Sequence, residues 1–546
     1  MRLNKLSFVA ALTVLLFVVL SGCDAIGGGT SGATAAGFER TAWNEPFPET
    51  ITVTIANHED PGHSFVDGDV LHHQWHRRWY ESFNINVETD WVSSDYDLNM
   101  NLAIAAGNLP DMFHVNAVQF GQLLDANLIE DIHDFIRAPY TSPGLLRLLE
   151  AEQDVFDTTM RDGRSYSVPR LHFGHITQAP FLWVRNDWYI EAGSPEINTI
   201  ADLENLMDTF MNTHGSSFAI TLDSGLNSFW HSTPAWHSHA RGANGSQRMW
   251  VDDGAGGIMS AYEQPEMLDV LAAWRDWYDR GWVREDFATI DWDMMNSDII
   301  SGNVGIEFGQ NWKAMGLGAM VENFGEESYM IAFAIPTVDG ALPQIPIHFA
   351  NEAYNVVRRG FEHPEVLPIL ISDYFHVLNE ASVQGTLTVD EVLVYTSGNA
   401  HHAVGPFRVV IPHYDDVVAV RDALITGEAN FTTGNATRFH GEIMLWINDR
   451  DLAGLGRYTQ QGNPRAGLTV GISYEDNDQY LLTRAWGPTP QEVLDFGGIT
   501  DSILAEGITR IIMGMDPLEH WHVVLEDWRQ AGGNEMTRAI NEYFGN

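Results

Sequence analysis

The sequence predicts an α/β fold, and the order of elements in its first structured stretch supports that prediction. Residues 51–55 alternate apolar and polar side chains, which is typical of a half-buried strand. Two more strands are predicted over 85–91 and 110–115. Apolar residues at helical spacing predict helices between them, over 70–83 and 97–106. Strand, helix, strand, helix, strand is the pattern of a parallel sheet covered by helices.

The α/β character continues along the chain. Pro364 fits the first turn of a predicted helix, where its missing N–H is not needed. No elements are predicted over 380–480, because that stretch shows no clear periodicity. The remaining predicted elements are strands over 181–185 and 304–308, and helices over 199–211, 265–278, 363–378 and 516–530.

The only cysteine, Cys23, lies where bacterial lipoproteins carry their lipid. Arg2 and Lys5 precede an apolar run, and the run ends in Leu20-Ser-Gly-Cys23, which resembles the lipobox of that class. The run is shorter than the roughly 20 residues that span a bilayer. We therefore expect residues 1–22 to be a signal peptide and Cys23 to be the lipidated N-terminus. The alternative is an ordinary secretory signal with a chance cysteine.

The composition is strongly acidic. The chain has 29 basic and 74 acidic residues, a formal net charge of −45, and lysine occurs only as Lys5 and Lys313. Such a charge disfavours nucleic acid and anionic lipid as partners. A solvated surface suited to salt or high pH would explain the acidity, and a cationic ligand is the alternative. With one cysteine, no intramolecular disulfide can form.

Seven short segments between residues 45 and 546 carry a resemblance to a known family. They are Ala105-Ala-Gly-Asn-Leu-Pro-Asp111, Arg161-Asp-Gly-Arg-Ser-Tyr-Ser-Val-Pro169, Val184-Arg-Asn-Asp-Trp188, Tyr278-Asp-Arg-Gly-Trp-Val-Arg-Glu-Asp286, Ser301-Gly-Asn-Val-Gly305 with Trp312, Glu362-His-Pro-Glu365, and Arg510-Ile-Ile-Met-Gly514. In this order, behind a lipobox, they resemble the large lipoprotein branch of the family 1 extracellular solute-binding proteins of ABC importers. Each segment alone is weakly specific.

The resemblance implies a type II periplasmic-binding-protein-like fold, with two discontinuous α/β lobes joined by a hinge and a ligand held between them. We expect an anchor and flexible linker over 23–44, lobe 1 over 45–175 and lobe 2 over 176–345. Residues 346–546 would return to lobe 1 and then form C-terminal helical segments. The chain would cross the hinge near 171–181 and again near 346–354.

Aromatic and amide side chains are the candidate ligand contacts. Sugar rings stack their C–H faces on indoles, while their hydroxyls need polar partners. The segment 224–239 offers Asn227, Trp230 and Trp236, and the resemblance makes Trp312 a ligand-facing tryptophan. Asn116 follows a predicted strand at the carboxyl edge of the sheet, where α/β ligand crevices lie.

The other candidate contact is Arg185, which could hold ligand oxygens or could cap the end of a strand. For each of the other tryptophans, packing in the core is the competing interpretation. The sequence leaves both choices open.

The sequence predicts no cofactor and no metal. His58, His63, His72, His73 and His76 are closely spaced, and a helix over 70–83 would place two of them on one face, as in zinc sites. An exposed histidine-rich helix is the simpler interpretation. The segment 211–217 offers too few oxygen ligands for the calcium loop that some alginate-binding relatives carry.

No motif of a hydrolase is found, and the resemblance implies a protein that binds without catalysis. The chain has no Gly-x-Ser-x-Gly sequence. The predicted function is a lipid-anchored, monomeric substrate-binding protein on the outer face of the cell membrane. It would capture an oligosaccharide and deliver it to ABC permease subunits. The alternatives are a secreted carbohydrate-degrading lipoprotein and a metal-binding lipoprotein.

Overall fold

The structure is a computed structural model that describes residues 40–59, 63–171, 174–226, 249–348, 353–409, 414–487 and 489–545. By their contacts, residues Glu39–Asn546 form one compact unit. The predictions for Cys23, Asn227, Trp230 and Trp236 lie outside the described residues. None of the helices in the described ranges is long and apolar enough to cross a membrane.

The strands of the described ranges form two main sheets and three short pairs. In chain order they are β1 (Ile51–His58), β2 (Ile85–Ser93), β3 (Met112–Val115), β4 (Met160–Arg161), β5 (Arg164–Ser165), β6 (Val168–Arg170), β7 (Pro180–Arg185), β8 (Trp250–Asp252), β9 (Ile258–Ser260), β10 (Ile306–Gln310), β11 (Met330–Phe333), β12 (Ile345–Ile347), β13 (Ala353–Val357) and β14 (Tyr480–Leu482).

The first main sheet, which we call sheet A, has the strand order β2-β1-β3-β13-β6. Strands β1, β2 and β3 run parallel, as the sequence predicts for this stretch. Strand β13 arrives from much later in the chain and runs antiparallel to both β3 and β6. Sheet A is therefore a mixed sheet, although its N-terminal half follows the parallel pattern.

The second main sheet, sheet B, has the order β10-β7-β11 and is antiparallel throughout. Every residue of the central strand β7 is buried. Trp183, Phe181 and Phe308 lie in the apolar core around it. The two sheets and their helices confirm the predicted α/β fold class.

Most of the chain outside the sheets is helical. The predicted helices over 97–106, 199–211 and 265–278 are present with small shifts at their ends. The stretch 380–480, for which nothing is predicted, is largely helical. The helices of the described ranges are Gln74–Phe83, Tyr96–Ala106, Ala117–Asp125, Pro143–Ala151, Gln153–Asp157, His175–Gln178, Asn186–Glu191, Ile200–Thr213, Met267–Asp279, Trp292–Ile300, Ala319–Phe324, Val366–Phe375, Ala381–Gln384, Val389–Thr396, Tyr414–Thr426, Gly434–Asp449, Leu452–Arg457, Gly467–Asp476, Gln491–Ile512, Trp521–Trp528 and Asn534–Phe544.

The helix predicted over 70–83 begins four residues late, at Gln74. His73 is its N-cap and accepts a hydrogen bond from the Trp75 N–H, while the His76 side chain accepts from the His73 N–H. The two histidines thus form a capping box. His72 precedes the helix and so shares no helical face with His76, although the two ring centroids still lie 6.3 Å apart.

Separate apolar cores support the two sheets. Val53, Ile85 and Leu370 belong to the core beside sheet A. The core around sheet B also includes Ile508 and Trp521 from the C-terminal helices. The last part of the chain therefore packs on sheet B, although the strand β13 before it belongs to sheet A.

Candidate functional site

The chain connects the two sheets through the crossings near 171–181 and 346–354. The strand registers show which strand ends of each sheet lie beside these crossings, and we call that side of the sheet its crossing edge. In sheet A, Ala353 pairs with Arg170 and Tyr354 pairs with Val115. The chain leaves sheet A after Arg170 and returns to it at Ala353, so the crossings and the end of β3 share one edge. In sheet B, Gln310 pairs with Pro180, the first residue after the outgoing crossing. The end of β10 therefore also lies at the crossing edge.

Asn116 lies at this crossing edge of sheet A. It directly follows β3 and caps the helix Ala117–Asp125, because its Oδ1 accepts a 3.0 Å hydrogen bond from the Gln119 N–H. The Gln119 side chain accepts in return from the Asn116 N–H at 3.1 Å, which completes a capping box. Within the described ranges nothing hydrogen-bonds to the Asn116 Nδ2. That amide group can donate to a ligand while the cap stays intact.

A cavity of about 520 Å³ opens beside Asn116. This volume falls in the range of small-molecule sites. One wall comes from elements around sheet A, and the other comes from β8, β9 and the C-terminal helices, which pack on sheet B. The wall residues with polar or aromatic side chains include Asp97, Asn116 and Tyr354 on the first side, and Trp250, Ser260, Tyr262 and Asp501 on the second.

Tyr262 is the most unusual polar group of this wall. Its side chain is buried, and its hydroxyl has no hydrogen-bond partner within the described part of the chain. Burial, with a smaller contribution from the nearby Asp501 carboxylate, raises the pKa of Tyr262 well above its ordinary value. The phenol therefore stays protonated and can donate a hydrogen bond. A buried polar group without a partner is costly, and a bound polar ligand would supply one.

Two glycines keep the second wall open. Gly497 and Gly498 lie in the helix Gln491–Ile512 and line the cavity. A Cβ added at either position would meet no atom within 4 Å, so the space beside the helix is empty. Glycine lowers helix stability by about 1 kcal/mol relative to alanine. At these two glycines the helix therefore places no side chain in the cavity.

Trp312 lies just past the end of β10, at the crossing edge of sheet B, and is half-buried. Its Nε1 donates a 2.7 Å hydrogen bond to the Oε1 of Gln310. The Gln310 Nε2 donates in turn to the Gln178 carbonyl oxygen at 3.2 Å. Gln178 belongs to the outgoing crossing, so one side chain connects the Trp312 indole to the segment between the sheets. Trp312 does not line the cavity beside Asn116.

A second tryptophan, Trp292, supports Trp312. The two ring centroids lie 5.3 Å apart at 40°. The ammonium group of Lys313 lies 3.2 Å from the Trp292 ring centroid. That ammonium forms a 3.1 Å ion pair with Glu307, and both side chains are almost completely buried. Burial raises the pKa of Glu307 and lowers the pKa of Lys313, and their mutual attraction opposes both shifts.

Arg185 lies at the opposite end of sheet B from Trp312. It ends β7 and pairs with Met330, five residues along the strand from Pro180. Its guanidinium makes two 2.7 Å hydrogen bonds to Asp187 and lies over the rings of Trp188 and Phe324. Arg185 does not line the cavity beside Asn116.

The structure thus places two predicted contacts, Asn116 and Trp312, at the crossing edges of their sheets. Sequence reasoning missed Tyr262 and Asp501 in the cavity wall. The adjacent glycines at 497 and 498 inside an otherwise helical stretch were the available signal, because such a pair in a helix indicates a packing or functional requirement.

The histidine-rich segment forms no metal site among the described residues, where no group of three or more histidine, cysteine or acidic side chains is placed to hold an ion. The His73 Nε2 contacts the Ala403 carbonyl oxygen at 3.2 Å while its Nδ1 caps a helix. The neutral ring with the proton on Nε2 satisfies both contacts. Burial lowers the pKa of His73 to about 4, which favours that neutral form.

Comparisons with known proteins agree with this architecture. Residues 80–344 match the family described as bacterial extracellular solute-binding protein. The lipoprotein LipO of Bacillus subtilis (strain 168) is 18% identical over 475 residues, which cover 84% of this chain and 86% of LipO.

Two solved structures share the fold at low sequence identity. The alginate-binding protein AlgQ2 without calcium ion has a TM-score of 0.62 at 13% identity, and the match covers 92% of this chain and all of that chain. The S. pneumoniae ABC-transporter substrate binding protein FusA in complex with kestose also has a TM-score of 0.62 at 13% identity, and the match covers 90% of this chain and 98% of FusA. Such likeness carries the fold, and the family match carries the class for the segment that it covers: residues 80–344 belong to the bacterial extracellular solute-binding proteins.

Proposed function

We propose that this protein is a lipid-anchored receptor that captures an oligosaccharide between two lobes and delivers it to an ABC importer. Sheet A with its helices would form one lobe, and sheet B with the C-terminal helices would form the other. Closure would turn about the two crossings, near 171–181 and 346–354. Cys23 would hold the receptor at the outer face of the membrane, within reach of permease subunits.

The observation that carries the proposal is the cavity whose walls come from both sides of the crossings. It combines aromatic side chains, such as Trp250 and Tyr354, with hydrogen-bonding groups, such as the Asn116 amide and the Tyr262 hydroxyl. A sugar has apolar ring faces and many hydroxyls, so it needs both kinds of partner in one place. The FusA relative was solved with kestose, which supports a sugar as the ligand class.

A thermal-shift screen of residues 40–546 tests the ligand class. The panel contains kestose, maltotetraose, alginate oligosaccharides, glucose, fructose, a tetrapeptide and Zn²⁺. We expect at least one oligosaccharide to raise the melting temperature and the peptide and Zn²⁺ to leave it unchanged. If no oligosaccharide raises it, the carbohydrate proposal is wrong.

A cavity-filling variant tests the site itself. Gly497→Leu places a side chain in the cavity without meeting a neighbouring atom at Cβ, so it should abolish oligosaccharide binding and leave the fold intact. Gly441→Leu is the matched control, because Gly441 is also helical and open but does not line the cavity. Full affinity in Gly497→Leu, measured by calorimetry, would exclude this cavity as the site.

A further inference from the structure

Lys313 is the only lysine outside the predicted signal peptide, and it is buried beside the predicted sugar-stacking tryptophan. Its side chain is 1% exposed, and Glu307, its partner at 3.1 Å, is fully buried. Removing two such charges from water is costly, and apolar side chains of similar size often stabilise a protein as well or better. The buried Lys313–Glu307 pair is therefore weak evidence for a role in the stability of the fold. Its position beside Trp312 suggests another role.

The path of the Lys313 side chain is set by a glycine. The chain turns back after Trp312, and the Lys313 stem passes over Gly309 toward Glu307. A Cβ on Gly309 would lie 2.5 Å from the Lys313 Cγ, so only glycine leaves room for this path. Since Glu307 and Gly309 are two residues apart on β10, they lie on the same face of sheet B.

The ammonium group ends against an indole ring. The Lys313 Nζ lies 3.2 Å from the Trp292 ring centroid, a cation–π contact. Such contacts are strongest when the cation is removed from water, as it is here. Lysine suits this place better than arginine, because its charge is compact and the space over Gly309 is narrow.

Trp292 in turn supports Trp312, whose ring centroid lies 5.3 Å away. The Trp312 indole is thus held on one side by its hydrogen bond to Gln310 and on another by Trp292. We infer that Lys313 is a positioning residue for sugar binding, because it fixes Trp292 and through it the ring of Trp312, while Glu307 holds the ammonium in place. This inference rests on the proposed function.

A lysine label tests the geometry without any ligand. The chain of residues 40–546 includes both cores and contains one lysine, so ¹³C-lysine labelling reports Lys313 alone. An indole ring current shifts protons above its face upfield. We expect the Lys313 ε-CH₂ signal far upfield in the wild type and at the ordinary position in Trp292→Leu. An ordinary position in the wild type would overturn the inference.

A fluorine label tests the effect on Trp312. In protein labelled with 5-fluorotryptophan, the Trp312 signal is identified by its loss in Trp312→Phe. We expect it to shift and broaden in the double variant Lys313→Met/Glu307→Gln, which removes both charges together. The matched control is Arg78→Met/Asp373→Asn, which removes a buried ion pair packed beside sheet A. An unchanged Trp312 signal in the Lys313 double variant would overturn the inference.

If the Lys313 double variant fails to fold, Gly309→Ala takes its place, because it displaces the Lys313 stem without removing a charge. It should move both the lysine and the Trp312 signals, and if neither moves the inference is wrong.

Affinity separates this inference from the proposed function. If a panel oligosaccharide binds the wild type, we expect the Lys313 double variant to bind it roughly tenfold more weakly, which corresponds to about 1.4 kcal/mol. Equal affinity would reject the positioning role and leave the proposed function standing. If no panel oligosaccharide binds the wild type, the proposed function fails, while the two label experiments still decide whether Lys313 positions Trp312.

Discussion

The indole N–H of Trp312 donates to the side chain of Gln310, which also donates to the backbone of the outgoing crossing at Gln178. A single buried amide therefore connects the predicted stacking surface to a segment that would bend during closure. A change in the path of the crossing would therefore move the Trp312 ring, and a movement of the ring would likewise change the crossing.

Trp312→Phe tests the value of that hydrogen bond. Phenylalanine keeps an aromatic face but leaves the Gln310 Oε1 without its donor, and one buried hydrogen bond contributes about 1 kcal/mol. Because this hydrogen bond forms without ligand, we expect Trp312→Phe to lower the free energy of unfolding by about 1 kcal/mol and to weaken oligosaccharide binding, measured by calorimetry, less than Trp312→Ala does. Trp43→Phe, on a half-buried tryptophan of a separate groove, is the control and should bind normally. Full affinity in Trp312→Ala would remove Trp312 from the site.

Arg185→Ala should lower stability without weakening ligand binding. The Arg185 side chain is 3% exposed and is paired with Asp187 at the end of sheet B far from Trp312. Breaking a buried pair by removing one partner costs about 3 kcal/mol. Urea unfolding measures the loss, and calorimetry with a bound oligosaccharide should give an unchanged affinity. A stable variant that no longer binds would show that Arg185 contacts the ligand instead.

Acid should destabilise the protein through His73. Burial lowers its pKa to about 4, whereas an unfolded histidine has a pKa of about 6.5. Between these two pH values His73 is protonated in the unfolded chain but neutral in the folded chain. The free energy of unfolding therefore decreases as the pH falls from 6.5 to 4. The loss is about 3 kcal/mol for this one group.

The His73 prediction is checked by urea unfolding at pH 7 and pH 4.5. His76, His63, His72 and Asp69 lie around His73, and two of these histidines, His63 and His72, oppose its protonation while Asp69 favours it. His73→Asn keeps a good helix N-cap and removes the titrating group. The variant should lose less stability in acid than the wild type. An identical loss would assign the acid sensitivity to other groups.

Salt should stabilise the protein. With a net charge of −45, the folded chain repels itself, and salt screens exposed charges that lie farther apart than about 10 Å at 0.1 M and about 3 Å at 1 M. We expect the melting temperature to rise from low salt to molar NaCl. An unchanged or falling melting temperature would mean that acid pairs and caps already offset the repulsion.

The sequence predicts the parallel half of sheet A because β1 alternates apolar and polar residues. The helical stretch 380–480 escapes prediction because its helices also bury polar groups. The helix Gly434–Asp449 buries Asn435 and Arg438 together with Phe439, and Arg438 pairs there with Glu442. Such exceptions remove the simple apolar period on which a helix prediction depends.

The sequence predicts the position of a site residue only where that position depends on a single strand. Asn116 comes directly after a predicted strand, so the sequence alone predicts its position at the edge of the sheet. Tyr262 and Asp501 come from distant parts of the chain, and only the folded structure brings them to one cavity. The contact of Lys313 with Trp292 likewise depends on how a turn folds back over β10.

The place of β13 inside sheet A sets the order in which this protein can fold. Strands β3 and β6 are made early but do not touch each other, because residues 353–357 fill the gap between them. A chain that is synthesised from its N-terminus cannot complete sheet A until more than 180 residues after β6 have also been made. Until then both facing edges stay open to unwanted pairing. Sheet A therefore stays incomplete until its middle strand has been made.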